Sequence, residues 1–320
     1  MAKSYDQKAV LFKVETTEGT DAAPTGGANA IRTLDYQPTF MDAENRVRNI
    51  DTAFMGAKPT LLYAFKRGAN FGVEMAGSGV SAATVPAWMI LNQACGFGAA
   101  VINSTTSVTQ SGAPSSASLT HWAAFLDEQN AANSFLMKAI GGRSTLGFTL
   151  ADDDFPRFNY GYLGRPPATL AEEGAFPTPT ISNQAAPVLA SSENTTFTLD
   201  GYALPLRSIE ANSNAELALR SLIGPQDFMA YRNDNWGGNL VAEVPSLAAK
   251  NYFQNIRSGA TMPLALQHGT VAGNIVGIAA PALQINGNVA LSEEQGKLMM
   301  TIPFSLLPVV GNDEITFTAK

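Results

Sequence analysis

Along most of the chain, apolar and polar residues alternate in short runs that end at Gly, Asn, Asp or Pro. This is the pattern of half-buried β-strands rather than of helices. KAVLFKVE, TLLYAFKRG, NFGVEMAG, SFLMKAIGG, STLGFTLA and RFNYGYLG fill the first half. TFTLDGY, LRSIEAN, NLVAEV, LALQHG, PALQINGNVAL and KLMMTIPFSLLPVV fill the second. Two segments carry helical signals instead. Residues 86–94 have Pro86 in a first turn and Gly96 just past the end, and residues 245–257 repeat the design with Pro245 and Gly259. In the second, Leu247, Tyr252, Phe253 and Ile256 share a face at helical spacing. A third helix is predicted over residues 118–127, SLTHWAAFLD.

Three stretches have no apolar period. Residues 15–30 form a polar, Gly-rich excursion between the apolar run 9–14 and the alternating segment 31–36. Residues 103–118 are rich in Ser and Thr, and residues 164–194 hold five Pro, the composition of a semi-extended linker. The expected organisation is one domain over residues 1–170, a Pro-rich linker over 171–195 and a second domain over 196–320. The halves also share an element order. IRTLDY, FMGAKPTLLYAF, GVEM and a Pro-started helix in the first face LRSIEA, FMAYRND, VAEV and a Pro-started helix in the second. Arg32 to Phe54 is 22 positions and Arg207 to Phe228 is 21. Placing Tyr160-Gly161 on Asn286-Gly287 brings Phe155-Pro156 within one position of Ala280-Pro281. An internal duplication is expected, in the order strand, strand, helix, hairpin.

Composition narrows the function. Of 320 residues, 45% are hydrophobic, enough for a large core, and only 15% are charged. A chain with so little charge has a large interior or covers much of its surface against partners. The net charge of −7 argues against nucleic-acid binding through a basic patch. The one cysteine, Cys95, excludes an intramolecular disulfide. The first residues lack an apolar signal core, and no run approaches the ~18 apolar residues of a membrane helix. A soluble protein made in the cytoplasm, with no membrane partner, is the expectation.

Candidate chemistry is sparse. His121 and His268 are the only histidines, and no G-x-S-x-G elbow accompanies them. Both read as structural, the first in the predicted helix 118–127 and the second at a strand-to-turn position. Asp152, Asp153 and Asp154 read as a solvated hairpin turn before Phe155-Pro156 rather than as a metal cage. Residues 141–147, GGRSTLG, lack the Lys and the helix of a phosphate cradle, and residues 233–239 are a turn cluster. Cys95 reads as a small buried hydrophobe at a helix end. No catalytic residue, metal ligand or cofactor is predicted. A large core with long polar loops and little chemistry points to assembly.

VLFKVETTEGTDAAPT near the start resembles the opening of tailed-bacteriophage tail tube proteins, the major tail proteins of long non-contractile tails. FGVEMAGSG followed by VPAWMILNQACGF, and GGRSTLGFTLADDDFPRFNYGYLG, resemble that family's strand–turn–helix and its late hairpin. The resemblance covers residues 10–165 and extends to the second half through the repeat. It implies a mainly β fold of two tandem tail-tube-like β-sandwich or half-barrel domains, each with a flanking α-helix. It implies a virion protein, present in the host cytoplasm before assembly. Its rings stack into a tail tube through which genomic DNA is ejected without specific binding. Inner strands would join between subunits. Two such domains per chain imply a trimeric ring with pseudo-sixfold symmetry, with a hexamer as the rival. The other implied partners are tail terminator, tape measure and tail-tip proteins.

On this resemblance, contacts between subunits or rings are expected from two regions. The excursion supplies Glu15, Thr17, Glu18, Asp21 and Pro24, ordered against a neighbour. The segment 37–56 supplies Asp42, Glu44, Arg46, Arg48 and Asp51, alternating in sign as suits a specific stacking contact. Its counterpart, 212–227, supplies Glu216 and Arg220. The alternative reading is a two-domain β-sandwich binding or virion decoration protein. It would need an exposed aromatic platform, and the only Trp are Trp88, Trp122 and Trp236. A hydrolase with a hidden Ser/His pair is the third reading.

Overall fold

The computed structural model describes residues 3–80, 84–103, 107–113, 117–221, 223, 228–231 and 235–320. The chain is mainly β and its pairing is antiparallel throughout. In the first half the principal strands are β1 (Lys3–Val14), β2 (Leu34–Val47), β3 (Thr60–Glu74), β4 (Leu119–Asp127), β5 (Ser134–Ala151) and β6 (Arg157–Arg165). In the second they are β7 (Thr195–Leu199), β8 (Leu206–Asn212), β9 (Gly237–Glu243), β10 (Met262–His268), β11 (Val276–Ile285), β12 (Ala290–Glu294) and β13 (Lys297–Leu306). Helix α1 (Trp88–Asn92) lies between β3 and β4, and α2 (Tyr252–Ser258) between β9 and β10.

The two halves repeat one pairing scheme. The first has the spatial order β2–β3–β6–β5–β4–β1. The second has β8–β9–β13–β11–β10–β7, with β12 continuing β11 along β13. A bulge recurs too, after Leu119/Gly142 in β4–β5 and after Met262/Leu283 in β10–β11. The hairpin β5–β6 therefore corresponds to β11/β12–β13. The sequence alignment of Phe155-Pro156 on Ala280-Pro281 is corrected by this: the first pair lies between β5 and β6, the second inside β11.

The halves meet along two seams. The end of β5 pairs with β8, Gly147 opposite Asn212 through Ala151 opposite Ser208. The last strand, Thr316–Ala319, pairs with β11 on one side and with Ser107–Ser111 of the first half on the other. One hydrophobic cluster runs through both halves, and Phe317 packs against Trp88, Phe97, Phe158 and Trp236 within it. The Pro-rich segment is stitched to the first half rather than hanging free: Thr180 donates to Gly26, Ala185 to Gly77 and Ala190 to Asp154.

Several elements differ from the expectation. Residues 119–127 are β4, not a helix: β1 and β5 pair with its two edges, and its side chains are buried on both faces of the sheet. A continuous apolar run cannot tell those states apart by period alone. Within 245–257 only Tyr252–Ser258 is helical, capped by the Asn251 side chain and stopped at Gly259 with φ +65°. TLLYAFKRG and NFGVEMAG are one strand, since Gly68 serves a close approach, where a Cβ would stand 3.0 Å from the Tyr162 carbonyl oxygen. SFLMKAIGG and STLGFTLA are likewise one strand, which bends at Gly141 (φ +63°) to pair first with β4 and then with β6 and β8. Within 103–118, Ser107–Ser111 is a strand. Residues 104–106 and 114–116 of that stretch lie outside the described residues.

Candidate assembly surfaces

The excursion is anchored on its own chain by Glu15. This carboxylate is 8% exposed and accepts three hydrogen bonds, from the Thr120 hydroxyl (2.8 Å), the Gly141 amide (2.8 Å) and the Gly19 amide (2.7 Å). A buried carboxylate is tolerated when its lone pairs are filled in this way. Glu18 pairs with Arg143 at 3.1 Å, Asp21 accepts from the Trp122 indole at 3.1 Å, and Pro24 is buried. Thus the polar stretch is anchored internally through Glu15, while Thr17, Glu18 and Asp21 still face outward.

The segment 37–56 is mostly strand. β2 continues to Val47, opposite Thr60, and residues 48–59 form the tip of a protruding arm. Asp42 pairs with Lys66 at 3.7 Å. Glu44 stands opposite Tyr63 and raises the pKa of its phenol, chiefly by accepting its hydrogen bond. Arg46, Arg48 and Asp51 are exposed. The sequence reading followed these charges and missed the apolar surface around them. Phe54 is 78% exposed, Met55 fully so, and Leu61 and Leu62 are 66% and 56% exposed. Apolar side chains gathered on one projection mark an interaction site. At the arm's base Arg67 is fully buried, donating to the carbonyls of Phe40 (2.9 Å), Lys138 (2.6 Å) and Leu170. In the second half a smaller hairpin, Leu217–Arg220 with Phe228–Tyr231, occupies the same place between β8 and β9. Glu216 precedes it and Arg220 ends its first strand. Residues 222 and 224–227 of that counterpart lie outside the described residues.

A third surface was not identified from sequence. The seam β5·β8 joins the sheets of the two halves, so that β2, β3, β6, β5, β8, β9 and β13 form one run. One face of this run packs on the core through Phe71, Tyr160, Phe148, Ile209, Leu240 and Ile302. The other face is polar and nearly neutral. One cross-strand row reads Gly72, Asn159, Gly147, Asn212, Gly237, Ser305. The next reads Glu74, Arg157, Thr149, Glu210, Asn239, Pro303. Arg157, the cation of these rows, stands 3.6 Å from Asp35. The amides lie flat across the glycines: a Cβ on Gly147 would meet Asn212 Oδ1 at 2.0 Å, and one on Gly161 would meet Thr145 Oγ1 at 2.7 Å. A shallow depression of about 520 Å³ over Asn70, Asn159, Thr145 and Asn214 belongs to this face.

The residues considered for chemistry occupy other places. His121 is fully buried, with Nε2 2.7 Å from the Tyr36 hydroxyl, Nδ1 3.2 Å from the Leu11 carbonyl and its ring stacked on Phe12. Burial lowers its pKa to about 4. His268 ends β10, between the Thr195 hydroxyl (2.9 Å) and the Val188 carbonyl (3.1 Å). Cys95 is buried beside α1. Asp152, Asp153 and Asp154 occupy the β5–β6 turn, where Asp152 pairs with Arg207 at 3.4 Å. Among the described residues no group of three or more His, Cys, Asp or Glu is placed to hold a metal ion. No described helix is long and apolar enough to cross a membrane. Trp88 and Trp236 are buried, and Trp122 carries the Lys138 ammonium over its ring, so the tryptophans form no exposed platform. Neither a protein-family model nor a curated protein matches the chain.

Proposed function

We propose that this chain is a structural subunit that polymerises into rings stacked as a tube, the tail tube of a bacteriophage, with a lumen for DNA. The observation that carries the reading is the run of sheet shared by both halves. It has a core face and a flat amide, hydroxyl and glycine face, and among the described residues its outermost strands, β2 at one end and β12 beyond β13 at the other, each have a free outer edge. Curved into a ring, such a sheet presents its polar face to a channel. Double-stranded DNA carries one charge per about 1.7 Å of axis and would adhere to a wall of unpaired cations. In the two rows described, Arg157 is offset by Asp35 and Glu74 pairs with Arg32 at 3.8 Å, so Glu210 alone adds negative charge.

The arm supports the stacking of one ring on the next. Apolar surface at Phe54, Met55, Leu61 and Leu62 does nothing for the core of its own chain, and burial against a second ring would remove it from water. The variant Phe54→Ser/Met55→Ser tests this. Sedimentation velocity over a range of concentrations should show rings that no longer extend into longer species, with the melting temperature of the subunit unchanged. Long tubes formed as readily as by the unaltered chain would refute the role given to the arm.

A further inference from the structure

The seam between the halves has a counterpart that a single chain leaves open. In the seam, β5 offers its outer edge to β8, the strand that repeats β2 in the second half. The strand that repeats the end of β5 is β12, and the strand that β8 repeats is β2 itself. Among the described residues neither has a strand on its outer side.

The register of the missing joint follows from the repeat. Thr149 stands opposite Arg157, which stands opposite Glu74. Ser292 stands opposite Met299, which stands opposite Glu243. Glu74 and Glu243 close the matching strands β3 and β9, so Ser292 repeats Thr149. By the same construction Gln37, opposite Asn70, repeats Glu210, opposite Asn239. Within the chain Thr149 faces Glu210. We propose that β12 of one chain pairs antiparallel with β2 of the next copy, with Ser292 opposite Gln37, Leu291 opposite Pro38 and Ala290 opposite Thr39.

The side chains fit this occupant. Phe148, beside Thr149, is 2% exposed under the internal seam, whereas its repeat Leu291 is 56% exposed although it stands directly opposite the fully buried Met300. Leu298 on the adjoining strand is 52% exposed. The core is therefore complete at the internal seam and uncapped at β12. Pro38 brings no N–H and shortens the ladder by one donor, which is tolerated on an edge strand and guards against promiscuous pairing. A joint between two different edges of one chain is head-to-tail, and it yields a ring where the rotation per copy closes and an open filament where it does not. The inference rests on the reading of the chain as a ring-forming subunit, and adds to it the edges and the register.

The test is the full chain carrying both Gln37→Cys and Ser292→Cys. Both positions are exposed, and the native Cys95 is buried and silent under mild oxidation. The expected result is a reducible ladder on denaturing gels that ends at a closed trimer, while either single variant gives none. A control pair, Thr39→Cys with Glu294→Cys, lies four residues or about 14 Å out of register and should stay uncross-linked. Rings seen by electron microscopy without cross-linking of the first pair would overturn the joint and leave the tube reading standing. Cross-linking of the control pair in place of the first would overturn the register. Monomers by both methods would remove joint and tube reading together.

Discussion

His121 shows how a side chain that suggests catalysis is held for structure. Its two ring nitrogens face Tyr36 and the Leu11 carbonyl, and Phe12 covers its ring, so the neutral form is the one accommodated. Burial depresses the pKa to about 4, against 6.5 in an unfolded chain. Between those values the unfolded state binds more protons than the folded one. Stability from this residue is therefore complete above about pH 6.5 and lost as pH falls towards 4, by up to about 3 kcal/mol. His268 is shifted in the same direction, also by burial. Urea denaturation at pH 7.5 and pH 5 should show a marked loss at the lower pH, and His121→Gln should reduce that difference. An unchanged pH dependence in the variant would exclude His121 as its source. From sequence the two histidines read as structural rather than catalytic. The sequence could not show the Tyr36 partner, 85 positions away, because such a contact exists only once two layers are packed.

At the scale of elements, the opening excursion was legible as a loop, but its internal anchor was not. Its Gly, Pro and Thr content marked a loop, but Glu15 fixes that loop to β4 and β5 through three hydrogen bonds. Replacing Glu15 by Ala leaves the Gly141 amide and the Thr120 hydroxyl without their partner, at about 2–4 kcal/mol. The expected outcome is a lower denaturation midpoint together with new proteolytic cleavage near residue 20. Cleavage without loss of stability would mean that the anchor orders only the loop. Strands with strict alternation, such as β6 with Phe158, Tyr160 and Tyr162 inward, were legible from sequence. β4 was not, being buried on both faces. The long strands β3 and β5 were read as two pieces each, because a glycine within a strand looks the same in sequence whether it ends the strand, bends it or admits a neighbour.

For the whole molecule, the repeat was visible in the order of its elements before any strand was paired. The seam β5·β8 was not, since edge-to-edge joining depends on register and leaves no local signal. That seam makes the polar face continuous across the halves, which the proposed ring requires. The central claim is that copies of this chain complete that ring around a channel. Negative-stain electron microscopy of the purified protein, averaged end-on, tests it most directly. The account predicts hollow rings or tubes with threefold averages carrying pseudo-sixfold modulation. Compact particles with no channel, at every concentration and salt level tried, would contradict it.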